Sequence, residues 1–481
     1  MRFVFLVAAG LVCVAAAASA EPATPEGAKA MLAAYAAYLP PALAEKHVVA
    51  VTAEGDDYVV AWDIEKVAAA LDAPAEMLKA APLVYRVTPT PGGGWRMRAA
   101  ALPGLTIGPT QPGGPDGGAI DFDGFRFEGV YDPAAADFFH GKLGLEGVSA
   151  DVKAKAGDNL QHVVTANEEI AADIRIRPGA GAQSVDIGAA ESSAGSTQQT
   201  TLVAPDREVP LTDTRQGAAT GESAAAGLRA QAFGDLWRFL VAHAADDEPP
   251  TAELKAKLAA LPPLWKEVSG EADLGDIAID FPGGAASVKS AHEEVRMTGL
   301  AETSSAELTL ALNQATVQLE TAPQWLQSLW PATLALTLEA GVDGLDKVAA
   351  VALEDPGFVQ NFKLEGETKA KVADLITEGR PHVGLKAARL ATPLVEATFE
   401  GEATFGYEGP AAHARITADT LDKVLATLAK VVETEPGAQQ YIYIATYARG
   451  LAKTEDGRLV WDIEYLGPNS VEINGQKFPP E

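Results

Sequence analysis

The stretch Leu334–Leu353, LALTLEAGVDGLDKVAAVAL, decides how the rest of the chain is read. It is an extended apolar run that passes into a short Ala/Leu helix through Leu345-Asp346-Lys347-Val348. Two other segments follow the same plan. Tyr58–Leu71, YVVAWDIEKVAAAL, makes the step at Ile64-Glu65-Lys66-Val67, and His413–Leu428, HARITADTLDKVLATL, makes it at Leu421-Asp422-Lys423-Val424. A strand-then-helix unit used three times predicts a modular scaffold, because each unit has to bury its apolar face against its neighbours. Glu65, Asp346 and Asp422 fall at or near the helix starts, where a negative charge is favoured by the helix dipole. The step therefore reads as a folding device rather than a shared site, with Lys66, Lys347 and Lys423 solvated beside it.

Outward from these units, the chain is mostly strands. Hairpins are expected at 47–64 and 83–99, the first preceded by a helix over 25–39 that Pro40-Pro41 stops. The Gly/Pro-rich run 102–118 reads as a long loop. Strands are expected from Ala119 to Gly188, with Phe122 inward and Asp121 and Asp123 outward. Residues 191–227 are rich in Ser, Thr, Ala and Gly, which fits either disorder or solvated edge strands; the expectation adopted is a long exposed excursion. Two helices, 228–241 and 251–261, come next. Further strands are expected at 277–281, 286–296 and 305–319, where Ala306, Leu308, Leu310 and Leu312 face one way, and at 358–367, 381–390 and 394–407. The end of the chain reads as strand, helix and a terminal hairpin at 459–473, with 438–452 open to either helix or strand. The word Trp62-Asp63-Ile64-Glu65 recurs as Trp461-Asp462-Ile463-Glu464, by kinship or by coincidence.

Alternating strands joined by turns argue for antiparallel sheet rather than a parallel βαβ core. The expected fold class is α+β: elongated, curved, mainly antiparallel sheets with short helices on one face. The expected divisions are a signal peptide over 1–20, an N-terminal α+β module over 21–110, a β-rich region over 111–227 with a flexible end, a helical pair followed by a β-rich region over 228–410, and a strand–helix–hairpin module over 411–481.

Residues 1–20 carry a minimal basic start at Arg2, an apolar run from Phe3 to Ala18 and the small-residue pattern Ala18-Ser19-Ala20, which predicts a secretion signal cleaved after Ala20. The run falls short of the ~20 residues a comfortable span needs. Cys13 is the only cysteine, and with Val12 and Gly10 before it the context does not fit a lipid-modified thiol. No disulfide and no Cys-based metal or redox site is then open to the exported chain. A formal net charge of −29 argues against nucleic acid and against electrostatic docking on anionic headgroups.

The catalytic motifs sought are missing from the sequence. His292-Glu293-Glu294-Val295-Arg296 has Arg where a zinc site needs its second His, and it alternates like a strand. Asp121-Phe122-Asp123-Gly124 lacks the later oxygen ligands of a calcium loop. There is no nucleophile elbow and no phosphate loop. No catalytic, metal or cofactor residues are assigned on this basis. Trp237, Trp265, Trp325 and Trp330 sit in or beside helices near prolines, and they are the candidate lining of an apolar groove between sheet and helices. Core packing is the bland alternative for all four.

The C-terminal words ITADTLDKVLATLAKVV, GRLVWDIEY and VEINGQKFPPE, within Arg415–Glu481, resemble the end of bacterial envelope families: the alphaproteobacterial domain of unknown function 2125 and the AsmA-like group. The resemblance covers about sixty-five residues, with Asn474-Gly475 at the last turn. It implies a periplasmic protein with long curved sheets, in families of which some members are thought to hold or pass lipids. The chain differs from large AsmA-like proteins in being much shorter and lacking a membrane span. The expected function is a non-enzymatic periplasmic protein whose partner is a lipid-like ligand or another envelope protein. The alternatives are a structural or interaction module and a secreted hydrolase with dispersed catalytic residues.

Overall fold

The computed structural model describes residues 22–70, 77–109, 114–156, 159–181, 183–204, 207–244, 251–465, 467 and 470–478. The expected leader and Cys13 lie outside them. The fold is α+β. Every strand pairing with a described register is antiparallel, and eleven α-helices accompany the strands among the described residues. The chain divides into two compact units, Met1–Val268 with Leu353–Lys363, and Ser269–Ala352 with Leu364–Glu481.

In the first unit, α1 (Pro25–Ala36) starts at Thr24, whose hydroxyl accepts the Gly27 N–H at 3.0 Å, with Pro25 as first helical residue. It covers a sheet ordered β1 (Val49–Glu54), β2 (Asp57–Trp62), β4 (Leu83–Thr90), β5 (Gly94–Ala99), β8 (Arg126–Tyr131), β9 (Phe139–Ala156) and β10 (Asn159–Pro178). Met31 and Tyr35 from α1 pack on Val60, Val87, Trp95 and Met97, all buried. The Tyr35 hydroxyl meets that of Tyr85 at 2.7 Å, and the Trp62 Nε1 donates to Tyr85 at 3.4 Å. Burial pushes the Tyr35 phenol far above its usual pKa, so the pair is neutral. A short ladder of β3 (Leu78–Ala80), β6 (Leu105–Ile107) and β7 (Gly117–Asp123) joins the second half of β9. It occupies part of the expected loop at 102–118. Phe122 is less exposed than Asp121 and Asp123, as the alternation implies.

The expectation for 191–227 needs correction. Following β11 (Val185–Ser193), that stretch forms β12 (Gly195–Val203), β13 (Glu208–Gln216) and β14 (Ala219–Leu228). β12 pairs with the first half of β10 and β11 with the second, while β14 pairs with β11 and lays Ala225 over Ile187. Low hydrophobicity misled the reading. Thr at 197, 200, 201, 212 and 214 favours strand, and a strand beside a formed sheet needs little apolar surface of its own. α2 (Pro41–Glu45), α3 (Ile64–Ala70), α4 (Ala230–Ala242), α5 (Thr251–Ala259) and α8 (Pro356–Asn361) complete the unit. Phe239, Leu254 and Val359, from the last three, share a small core. The helix α8 replaces part of an expected strand at 358–367. Asp355 accepts the N–H groups of Gly357 and Phe358, and Pro356 follows it, so the supposed Pro-Gly turn is a capped helix start.

The second unit contains β15 (Glu267–Phe281) from Ser269 onward. Its main sheet is ordered β16 (Gly284–Thr298), β17 (Thr303–Asn313), β19 (Thr333–Asp343), β20 (His382–Ala391), β21 (Glu396–Gly406), β22 (Gly409–Ala418) and β24 (Arg458–Tyr465). β18 (Thr316–Leu319) pairs with β16, and β23 (Lys453–Glu455), β25 (Val471–Ile473) and β26 (Gln476–Phe478) finish the C-terminal edge. The helices are α6 (Gln324–Gln327), α7 (Leu345–Ala352), α9 (Gly366–Glu378), α10 (Asp422–Val432) and α11 (Gln439–Leu451). The expected boundaries at 110 and 410 do not separate compact units. β5 pairs with β8 across the first, and β21 pairs with β22 across the second.

All three repeated segments fold as strand then helix: β2 into α3, β19 into α7, and β22 into α10. In the first, Asp63 accepts the Lys66 N–H at 3.0 Å, a local cap, and its carboxylate lies 3.3 Å from the Lys66 ammonium. In the third, Asp422 pairs with Arg449 of α11 at 2.6 Å, which ties α10 to α11.

Candidate binding trough

The seven main strands of the second unit align their side chains in rows across the sheet. One row runs Met297, Ala306, Ala340, Val383, Ala403, Ala412, Tyr465. The next runs Val295, Leu308, Leu338, Leu385, Gly401, Ala414, Ile463. A third runs Glu293, Leu310, Leu336, Ala388, Phe399, Ile416, Trp461. Period-two alternation puts all three on one face, and only Glu293 among them is charged.

This face is concave and open. The β16 to β22 members of the first two rows, with Glu293, Phe399 and Ile416, line a trough of about 950 Å³, which Glu307, Glu339, Gly384, Glu400, Glu402 and His413 also border from positions that alternate to the reverse face. Met297 is 37% exposed, Leu338 44% and Val383 48%, values a closed core would not leave. Five strand spacings give the trough a length of ~24 Å, and two rows give it a width of ~7 Å. Gly401 lies on its floor. A methyl group there would stand 2.8 Å from the His413 carbonyl oxygen, so β21 and β22 approach closely only because 401 is glycine.

The β22 end has a wall. Phe399 and Ile416 line the trough and also belong to a core with Trp461, Leu421, Leu451 and Ala452, where α10 and α11 meet the sheet. The Trp461 Nε1 donates to the Ala448 carbonyl of α11 at 2.7 Å, which fixes the helix on the strand.

The other face carries charge in the same register: Arg296, Glu307, Glu339, Gly384, Glu402, His413 and Glu464 form one row. A bulge places Lys386 where its ammonium is 2.9 Å from both Glu307 and Glu339. Those two hydrogen bonds hold Lys386 above its usual pKa. Arg415 bridges Asp462 at 3.0 Å and Glu455. The sheet is thus apolar and open on one side, and ionic and solvated on the other.

The four tryptophans singled out by sequence do not build this trough, and none of them lines it. Trp237 lies on α4 of the first unit, half exposed, with its Nε1 donating to the Tyr38 carbonyl at 2.8 Å. Trp265 belongs to the same unit, and its Nε1 is buried without a partner. Trp325 is in the second unit, where its Nε1 donates to Glu435 at 3.0 Å and its ring meets Tyr441 at 5.6 Å. Trp330 is 45% exposed beyond α6. The usable signal was the alternation Ala306, Leu308, Leu310, Leu312, continued by Leu334, Leu336 and Leu338.

The histidine–acid contacts are hydrogen bonds along open strand surfaces. His140 lies 3.0 Å from Asp173, His162 lies 2.8 Å from Asp151, and His292 lies 2.9 Å from Asp273. Burial acts to raise the Asp173 carboxyl pKa, but hydrogen bonds from His140 and Arg175 outweigh it and hold that pKa below the usual value. A small polar hollow of the second unit gathers His413, Arg415, Lys453, Asp462 and Asn474. The Asn474 amide is spent on the backbone of Leu451, Val460 and Asp462. Among the described residues, no group of three or more His, Cys, Asp or Glu is placed to hold a metal ion, and no helix is long and apolar enough to cross a membrane.

No protein family, no curated protein and no solved structure matches this chain.

Proposed function

We propose that this is a non-enzymatic protein of the periplasm that holds an acyl chain, or a ligand of similar shape, in the trough of its second unit. The observation that carries the reading is the open apolar face: three aligned rows with Leu338, Val383 and Met297 exposed on a curved sheet whose reverse side is charged. Binding then proceeds by burial of hydrocarbon, worth ~0.8 kcal/mol per CH₂, and requires no catalytic group. The ~24 Å length exceeds the ~15 Å that one leaflet of a ~30 Å bilayer core gives an acyl chain. The expected leader and the resemblance of Arg415–Glu481 to envelope families support the placement and the lipid-like ligand.

Mass spectrometry of the protein purified natively from its own envelope, paired with titration of a fluorescent fatty acyl probe, tests this. A co-purifying lipid and saturable binding that Leu338→Glu weakens are expected. Absence of lipid together with absence of probe binding overturns the reading.

A second reading, an interaction module, is favoured by one observation. On α11, Tyr443, Ile444 and Tyr447 are each at least half exposed, and tyrosine is a favoured residue at protein interfaces. Loss of a co-purifying envelope protein on Tyr443→Ser with Tyr447→Ser would support it.

A further inference from the structure

The trough is asymmetric along its length. At the β22 end the helices α10 and α11 close it with apolar side chains around Phe399 and Ile416. At the β16 end, Glu293 stands on the same face as Val295 and Met297; of the trough's described lining residues it is the one ionisable side chain on that face, since Glu307, Glu339, Glu400, Glu402 and His413 alternate to the reverse face. Glu293 is exposed and has no ion-pair partner among the described residues.

The cations around it are committed elsewhere. Lys289, on the same strand, pairs with Asp276, Arg296 with Glu294, Lys386 with Glu307 and Glu339, and Arg415 with Asp462 and Glu455, while the His292 ring hydrogen-bonds Asp273. Alternation turns His292, Arg296 and Arg415 to the reverse face and leaves Lys289 on that of Glu293, further along β16 and outside the trough lining. A ligand lying in the trough therefore meets hydrocarbon along its length, a closed apolar end at β22, and a lone carboxylate at β16. An anionic head at the β16 end would face Glu293 with nothing to neutralise it, within a chain of net charge −29.

From this we infer that the preferred ligand is a single-chain amphiphile with a cationic, ammonium-type head: its tail crosses β17 to β22 toward Phe399, and its head sits at Glu293. This rests on the trough being the binding site, as proposed above, and names the charge class that site selects.

The test compares three probes of one chain length, dodecylammonium, dodecanol and dodecanoate. Each is used below its micelle concentration, by displacement of a fluorescent acyl reporter from the exported chain. Dodecylammonium is expected to bind roughly tenfold tighter than dodecanoate, the scale on which an exposed attraction replaces an exposed repulsion. Glu293→Gln should remove most of that gap and leave dodecanol unchanged. Glu464→Gln, which alters net charge equally on the reverse face, should keep the gap, and this separates a local effect from the field of the whole chain. Dodecanoate binding as tightly as dodecylammonium overturns the inference, as does a gap that survives Glu293→Gln. If dodecanol binds and Leu338→Glu abolishes it, the trough stands even where the charge preference fails. If none of the three probes binds, both readings fall together.

Discussion

The two units build similar sheets and finish them differently. In the first, the apolar face of β1, β2, β4 and β5 lies under α1, and Val60, Val87 and Trp95 are almost completely buried. In the second, the apolar face of β16 to β22 has a helical wall at one end, and Leu338 and Val383 remain nearly half exposed. The alternation along the strands is the same in both. What differs is whether a helix is delivered onto the face. α1 arrives from the N-terminal side of β1 and carries Met31 and Tyr35 into the core. In the second unit α7 packs with α9 and α10 with α11, and α9 touches β19 and β21 only slightly, so Leu338 and Val383 stay open. An uncovered face of this kind is costly in water unless something else occupies it, which is why the contrast points to binding.

The largest test of the contrast is a truncation on each side of it. Trp95→Ala should lower the unfolding free energy by ~3–5 kcal/mol in a urea melt, because a buried indole leaves a cavity. Leu338→Ala should cost less than ~1 kcal/mol in the same experiment, because a half-exposed side chain has half its contacts to lose. Equal losses would break the distinction between a covered and an open face. Next in size, Tyr85→Phe should cost ~1–3 kcal/mol, since it strands the Tyr35 hydroxyl beneath α1. Tyr35→Phe with Tyr85→Phe together should recover part of that loss. Removing the cap with Thr24→Ala should cost ~1 kcal/mol and loosen α1 first, read as faster amide exchange over 25–36.

How much of this was legible follows from the same residues. Periodicity tells which side chains share a face, so Leu308 and Leu310 were placed together correctly from sequence. It does not tell what covers that face, so the open trough is not legible in the strands alone, and the helix-end residues Trp237 and Trp330 carry no signal for it. The repeated step into a helix was readable because its residues carry local preferences. The twin word Trp-Asp-Ile-Glu was not. At 62–65 the partner strand β1 begins at Val49, Asp63 donates its N–H to the Val48 carbonyl, and the chain turns into α3. At 461–464 the partners Ala414 and Ile473 flank Ile463 on both sides, and the same residues stay in a strand. Tertiary pairing, not propensity, made the choice. The same lesson explains 191–227, where weak hydrophobicity hid strands that lean on β10.

The smallest expected effect concerns pH and the covered unit. The folded carboxyl of Asp173 has a depressed pKa, so its contribution to stability is present above the unfolded value near 3.8 and is lost as pH falls through the lower folded value. Asp173→Asn should therefore flatten the acid limb of the stability curve of the first unit below about pH 4, measured by thermal melts at a series of pH values. The open unit should show no matching change. An unaltered acid limb in the variant would remove His140–Asp173–Arg175 from the account of acid sensitivity.

The β9–β10 hairpin has one more consequence. Each of its strands changes partner midway: β9 leaves β8 for β7, and β10 leaves β12 for β11. The hairpin, with strands of 18 and 20 residues, is therefore shared property of two ladders. Neither ladder can open fully without breaking amide pairs that the other also depends on. In hydrogen exchange the two flanks of the first unit should thus lose protection at one common free energy, with the hairpin as the last ladder to exchange and, because its two strands adjoin in sequence, the first that a refolding chain can assemble.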